Sequence, residues 1–127
     1  MSSETPYAID IDVATHYLDE ESSPQDGRYV FAYTIRIENR GNKPAQLLKR
    51  YWVVTDAEGH VQEVHGEGVV GEQPWLRPGD GFEYSSGVVL ATSLGTMHGS
   101  YDLQADDGTQ FSADIPAFML STPRTLH

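Results

Sequence analysis

A strict two-residue period in residues 29–39 is the feature that most constrains the fold. One face of this segment is apolar, and it is formed by Tyr29, Phe31, Tyr33, Ile35 and Ile37. The opposite face carries Arg36 and Glu38. Alternation of this kind is typical of a half-buried β-strand and incompatible with an amphipathic helix.

Several further segments repeat the alternation: residues 7–13, 82–90, 97–105 and 111–115. Residues 45–55 are apolar on both faces around Lys49 and Arg50, which predicts a central strand or one covered on its second face. Glycine and proline turns divide these segments, and no stretch has apolar residues at helical spacing. We therefore predict an all-β fold: a single fibronectin type III or immunoglobulin-like β-sandwich of about seven to eight antiparallel strands.

The length of 127 residues suits one domain. We place that domain at residues 7–120, with a flexible N-terminus at 1–6 and a flexible tail at 121–127. The absence of cysteine excludes disulfides and thiolate metal sites.

The net charge of −11 disfavours a nucleic-acid partner, because the eight basic residues form no concentrated basic stretch. No apolar run is long enough to span a bilayer, and the first residues lack the pattern of a signal peptide. We expect a cytoplasmic protein with no membrane contact.

The segment HGEGVVGEQPW, residues 65–75, has glycines at the spacing of a dinucleotide-binding fingerprint: Gly66, Gly68 and Gly71. That fingerprint requires a helix whose N-terminus holds the pyrophosphate. Pro74 and Pro78 follow too closely for such a helix. We therefore reject a Rossmann site.

Three interpretations of these glycines remain. Their amides could form an anion-binding nest, with Arg77, or Lys49 and Arg50, adding positive charge. Against this nest, Glu67 and Glu72 would repel a phosphate. Alternatively, the segment is a bent connection or bulged strand with Val69 and Val70 tucked onto the core, or it is a loop that contacts another protein.

Neither a metal site nor a catalytic constellation is evident. The five histidines are read as ordinary surface residues, and His60 and His65 are spaced to face opposite ways on a regular strand. A cysteine nucleophile and a Gly-x-Ser-x-Gly elbow are both missing. We expect no enzymatic activity, no bound metal and no cofactor.

An aromatic and basic group of residues forms the second candidate site: Lys49, Arg50, Trp52 and Trp75, with Tyr51 among them. Core packing explains most of these aromatics. If Trp52 or Trp75 is exposed, the group becomes a candidate surface for a protein partner.

Five stretches in order resemble the bacterial ApaG family: RYVFAYTIRIENRG, LLKRYWVVTDAEG, VHGEGVVGEQPWLRPGDGFEYSSG, GTMHGSYDL and IPAFML. The resemblance covers residues 7–120 and implies a fibronectin type III-like sandwich. It also implies an association with diadenosine polyphosphate metabolism and with magnesium and cobalt homeostasis. Related domains in eukaryotic F-box proteins and in a DNA-polymerase-interacting protein look like protein-interaction modules.

The functional prediction has two alternatives. The first is a non-enzymatic binding module that contacts an unidentified protein through a sheet face or the glycine segment. The second is a small-molecule pyrophosphate or nucleotide site, for which the resemblance points to Gly66, Gly68 and Gly71. A phosphohydrolase would further need metal ligands or a positioned base.

Overall fold

The computed structural model describes residues 5–123 and contains eight strands. Residues 1–4 and 124–127, which belong to the predicted flexible ends, lie outside the described residues. The strands are β1 (Ile9–Tyr17), β2 (Tyr29–Asn39), β3 (Ala45–Asp56), β4 (Val61–Glu67), β5 (Trp75–Leu76), β6 (Gly81–Leu90), β7 (Leu94–Ala105) and β8 (Gln110–Ser121). The polar loop after β1 contains two single turns of 3-10 helix, Asp19–Glu21 and Pro24–Asp26. Within residues 5–123, no helix is long and apolar enough to cross a membrane.

The strands form two antiparallel sheets. The smaller sheet has the order β1-β2-β6, and the larger has the order β4-β3-β7-β8, with β5 also paired to β3. The prediction of an all-β, antiparallel, two-sheet fold is confirmed.

The core lies between the sheets, and the two-residue period decides which side chains enter it. On β2, Phe31, Tyr33, Ile35 and Ile37 are buried, as their shared face predicts. On the facing sheet, the buried set comes from four strands, β3, β5, β7 and β8: Ala45, Leu47, Trp52, Val54, Leu76, Met97, Tyr101, Leu103, Ala105, Ile115 and Leu120.

A bulge in β3 explains why residues 45–55 look apolar on both faces. The pairing of β3 with β7 shifts register between Leu47 and Lys49. Before the shift Leu47 points inward, and after it Trp52 does, so the buried positions change from odd to even. The prediction of a central strand is confirmed, because β3 is flanked by β4 and β5 on one side and by β7 on the other.

The two long sides of the sandwich differ. On the side that we call the closed side, β1 contacts β8, and Tyr7 stacks on Phe111 with ring centroids 5.1 Å apart. On the other, the open side, the edge strands β4 and β6 face each other. No comparable contact joins these two strands within residues 5–123. The open side therefore leaves a groove into the interior, with an unpaired strand edge on each bank.

Candidate functional site

The glycine loop, residues 66–75, joins two extended segments. Gly66 lies within β4, a tight turn at residues 69–72 follows, and Trp75 begins β5. In the described part of the chain no helix follows Gly71, so no helix N-terminus is available to a pyrophosphate.

Two of the three glycines have close neighbours where a Cβ would lie, and for Gly68 that neighbour is backbone. A Cβ on Gly66 would lie 2.5 Å from the Cζ atom of Arg50, whose guanidinium occupies that space. Gly68 has a φ of +65°, and a Cβ there would lie 2.3 Å from the carbonyl oxygen of Glu72. The motif spacing thus follows from the path of the backbone and from the position of one arginine.

The polarity of the loop is opposite to that of an anion-binding nest. The amides of Gly68, Val69 and Glu72 donate to the carbonyls of Leu48, Glu72 and Val69, respectively, at 2.8–2.9 Å. The Arg50 guanidinium lies on the inner side of the loop, where its Nη1 donates to the carbonyls of Glu67 at 3.1 Å and Gly68 at 2.9 Å. The loop therefore presents carbonyl oxygens to a cation, and three of its amides are already engaged.

The two valines of the loop have different environments. Val69 is fully buried in the core, as expected. The same expectation is wrong for Val70, whose surface is 55% exposed. Val70 has a positive φ of 42° in the turn, which directs its side chain away from the interior.

Arg77 does not join the loop glycines. Leu76 pairs with Ala45, whereas Gly66 pairs with Arg50, which places the two regions about 16 Å apart along β3. The Arg77 guanidinium instead binds Asp80 at 3.3 Å. The backbone and side-chain hydrogen bonds from Arg77 lower the pKa of Asp80.

The aromatic and basic candidates are distributed over different surfaces. Trp52 is only 3% exposed and lies in the core, whereas Trp75 is 54% exposed. Lys49 points outward on β3 opposite Glu67, while Arg50 points inward. The structure therefore does not bring Lys49, Trp52 and Trp75 into one patch.

The groove on the open side is a concavity lined in part by Arg50. It has a volume of about 560 Å³ and reaches from the 3-10 turn at Asp19–Glu21 to Arg50. Val64 of β4 and Val88 of β6 form its banks, and Tyr33, Trp52 and Met97 lie deeper. The indole Nε1 of Trp52 is buried and finds no acceptor among the described residues.

The charge of Arg50 has no carboxylate partner in the part of the chain that the structure describes. Within residues 5–123, no Asp or Glu oxygen lies within ion-pair distance of its guanidinium. Arg28, at the other end of the groove, likewise has no ion pair in this range, although its Nε donates to the Glu21 carbonyl at 3.3 Å. The groove thus contains two cationic side chains on a protein with a net charge of −11.

A buried tyrosine pair ties β6 to the larger sheet beside Arg50. The hydroxyls of Tyr84 on β6 and Tyr101 on β7 form a hydrogen bond. Burial raises the pKa of Tyr84 to about 12. Burial also raises the pKa of Tyr101 far above its usual range, and the neighbouring Tyr84 adds to this effect. Both hydroxyls are therefore neutral donors and acceptors at physiological pH.

The described histidines are exposed and lie outside the groove. His60 approaches Asp56 and Glu58 in the turn after β3, where the ligand atoms of all three residues lie within 4.8 Å of one another. Desolvation of Asp56 is outweighed by hydrogen bonds from the backbone of His60 and Glu58 and from the His60 ring, so its pKa is lowered. Asp56 caps this turn by accepting these hydrogen bonds, which explains why the three side chains lie close together.

Sequence reasoning did not identify the groove. Its banks combine Gln62 and Val64 with Ser86 and Val88, which are distant in the chain and meet only through the pairing of the strands. The available signal was the short alternation in β4, in which Val64 shares a face with Gly66. The contact between Gly66 and Arg50 depends on strand register, which the sequence does not reveal.

Comparisons with known proteins extend over the whole chain. A family model described as the ApaG domain matches residues 19–105. The curated protein ApaG of Azoarcus sp. is 56% identical over 127 residues, covering 100% of both chains, and that of Stenotrophomonas maltophilia is 58% identical over 121 residues, covering 95% of both. The crystal structure of a Bordetella pertussis protein described as ApaA has a TM-score of 0.93 and 48% identity, and the match covers 97% of this chain and 100% of that one.

Proposed function

The chain belongs to the ApaG domain family, and from this premise we propose that it is a non-enzymatic module that binds another protein in the groove on its open side. The observation that carries the proposal is the groove itself. It has about 560 Å³ of space, mostly apolar banks and a few polar groups, which is the composition of a typical binding site. Both banks are sheet edges with free backbone hydrogen-bonding groups, which a protein partner can pair with.

The chemistry of the lining supports binding rather than catalysis. Among residues 5–123, the only carboxylate that lines the groove is that of Glu21, and no histidine of this range lines it. Ser86 therefore has no base beside it in the described lining, and general acid–base chemistry has no pair of groups to use there. In this proposal the protein acts in the cytoplasm without a cofactor. The link to divalent cations and diadenosine polyphosphates that the family resemblance implies would then run through the bound protein.

The test is a selection of random peptides, displayed on phage, against the immobilised wild-type protein. We expect the enriched peptides to lose binding to Val64→Asp, which places a charge in the groove wall. They should retain binding to Val61→Asp, the matched control, because Val61 lies on the outer face of the same strand and is 59% exposed. Peptides that bind both variants equally well would contradict the proposal.

A second measurement separates this proposal from nucleotide binding. Amide spectra of labelled protein are recorded with ATP, GTP and a diadenosine polyphosphate at millimolar concentration, with and without magnesium. We expect flat spectra, because the amides of Gly68, Val69 and Glu72 already have acceptors. Saturable shifts confined to residues 66–71 would instead favour a pyrophosphate site.

A further inference from the structure

We infer that the groove takes an extended acidic segment of a partner protein, which pairs with the free edge of β4 and places a carboxylate against Arg50. This inference rests on the proposed function and adds the chemistry of the partner. Three observations carry it: an inward-facing cation that has no carboxylate partner within residues 5–123, the glycine against which this cation lies, and the edge strand beside it.

The Arg50 guanidinium is held in place by hydrogen bonds to two carbonyl groups. It lies on the inner face of β3, partly removed from water, and its Nη1 is held by the Glu67 and Gly68 carbonyls. These neutral dipoles fix its position but leave its positive charge uncompensated within residues 5–123. A half-buried guanidinium held in place in this way is prepared to bind a carboxylate.

The Arg50 guanidinium takes the place that a side chain at Gly66 would have. Gly66 pairs with Arg50 across the β3–β4 ladder, and a Cβ there would overlap the guanidinium as it now lies. The inner face of β4 therefore runs from Gln62 through Val64 to the Arg50 guanidinium, which lies against Gly66. A strand added beside β4 would place an apolar side chain near Val64 and its next inward side chain near Arg50.

The acids near the groove leave its Arg50 end free of carboxylates. Glu63 and Glu67 pair with Val53 and Lys49 on the outer face of the sheet, so they point away from the groove. Glu67 and Asp102 line a separate concavity beside Arg50, but among residues 5–123 the carboxylate that lines the groove is that of Glu21, at the opposite end with Arg28. A carboxylate that enters the groove therefore meets the charge of Arg50 with no acid of the lining beside it.

The probes are two peptides of opposite order, Thr-Val-Thr-Val-Thr-Glu-Thr and Thr-Glu-Thr-Val-Thr-Val-Thr, with blocked ends. As strands, they direct two valines and one glutamate to a single face, and the two orders cover both strand directions. Binding is followed by amide shifts of the labelled full-length protein. We expect one peptide to shift Gln62–Gly66, and replacement of its glutamate by glutamine to weaken binding by about tenfold.

Variants of the protein then locate the effect. Arg50→Gln should remove the difference between the glutamate and glutamine peptides, whereas Arg77→Gln, a basic residue outside the groove, should retain it. Because Arg50 also holds the loop carbonyls, the substitution within the peptide provides the same test in an unaltered protein.

The possible results separate this inference from the proposed function. If groove-bound peptides show no preference for glutamate over glutamine, the inference is overturned while the binding module stands. If neither the probes nor the displayed peptides bind in the groove, both fall. A concentration-dependent dimer that Val64→Asp abolishes would identify a second copy of the chain as the occupant and would also overturn the inference.

Discussion

The two long sides of this sandwich are built from the same kind of strand, yet one is sealed and the other is open. On the closed side, Tyr7 stacks on Phe111 and donates a hydrogen bond to Asp107 at 2.6 Å, which fastens the chain before β1 to the β7–β8 hairpin. On the open side, β4 and β6 have apolar inner residues but stand apart, with Arg50 at one end of the groove between them. The difference shows that hydrophobic alternation forms a sheet but does not by itself close a sandwich.

The cation explains why the open side stays open. Closing β4 onto β6 would remove the Arg50 guanidinium from water without supplying a carboxylate, and burying an unpaired charge costs several kcal/mol. The hydrogen bond between Tyr84 and Tyr101 holds β6 to the larger sheet close to this position. The two sheets are therefore joined beside the groove by this hydrogen bond, whereas on the closed side β1 packs against β8.

The largest expected effect is on stability: truncating a side chain on the closed side should lower the free energy of unfolding more than truncating one on the open side. Ile115 of β8 is 2% exposed, and Ile115→Ala should lower the free energy of unfolding by about 3 kcal/mol. Val64 of β4 is only half-buried, so Val64→Ala should cost about 1 kcal/mol or less. Urea denaturation measures both values.

The control for this comparison is Met119→Ala, on the same strand as Ile115. Met119 is 60% exposed, so its truncation should change stability by less than about 0.5 kcal/mol. Equal losses for Ile115→Ala and Val64→Ala would mean that the open side is packed as tightly as the closed one.

The next effect is the loss of stability at high pH through the tyrosine pair. The folded pKa of Tyr84 is about 12, above its unfolded value of 10.0, so the folded state favours the neutral phenol. The contribution of this preference to the free energy of unfolding is fully present below pH 10 and is lost as the pH rises through 12. Tyr101, whose pKa is raised still further, extends the loss to higher pH.

We expect the wild-type protein to lose roughly 2 kcal/mol more than the variant Tyr84→Phe between these two pH values, because the variant lacks the contribution of the Tyr84 shift. Denaturation at a series of pH values measures this difference. Parallel pH profiles for the wild type and Tyr84→Phe would show that the folded state does not favour the neutral Tyr84 phenol.

The sequence predicted the fold because strand period and turn residues are local properties. The boundaries of β2 match the alternating residues 29–39, and the central position of β3 followed from its apolar faces. The bulge after Leu47 was not foreseen, since the register of a strand depends on its partner rather than on its own residues.

The site was predicted less well, because it depends on contacts between distant segments. Gly66 and Gly68 stood out by their spacing, but their reasons are the Arg50 guanidinium and the Glu72 carbonyl, which no local pattern reveals. Trp52 and Trp75 differ in exposure because one lies on the inner face of a central strand and the other on the outer face of a short one. Both residues are tryptophans, and only their positions in the tertiary structure distinguish them.

The smallest expected effect is a difference between two glycines of the loop that ends the open side. Gly68 and Gly71 have φ values of +65° and +82°, so alanine at either position incurs a backbone cost of about 1 kcal/mol. At Gly68 a Cβ would also meet the Glu72 carbonyl oxygen at 2.3 Å, whereas at Gly71 it meets nothing within 4 Å. Gly68→Ala should therefore cost about 1 kcal/mol more than Gly71→Ala in urea denaturation, because that clash must be relieved by a shift of the turn.

Because the turn adjoins the two carbonyls that hold Arg50, Gly68→Ala should also weaken the binding of the acidic peptide, while Gly71→Ala should leave its affinity unchanged. If the two substitutions had equal effects on stability and on peptide affinity, the loop would have no influence on the groove. The difference between the two sides would then depend on the strands alone.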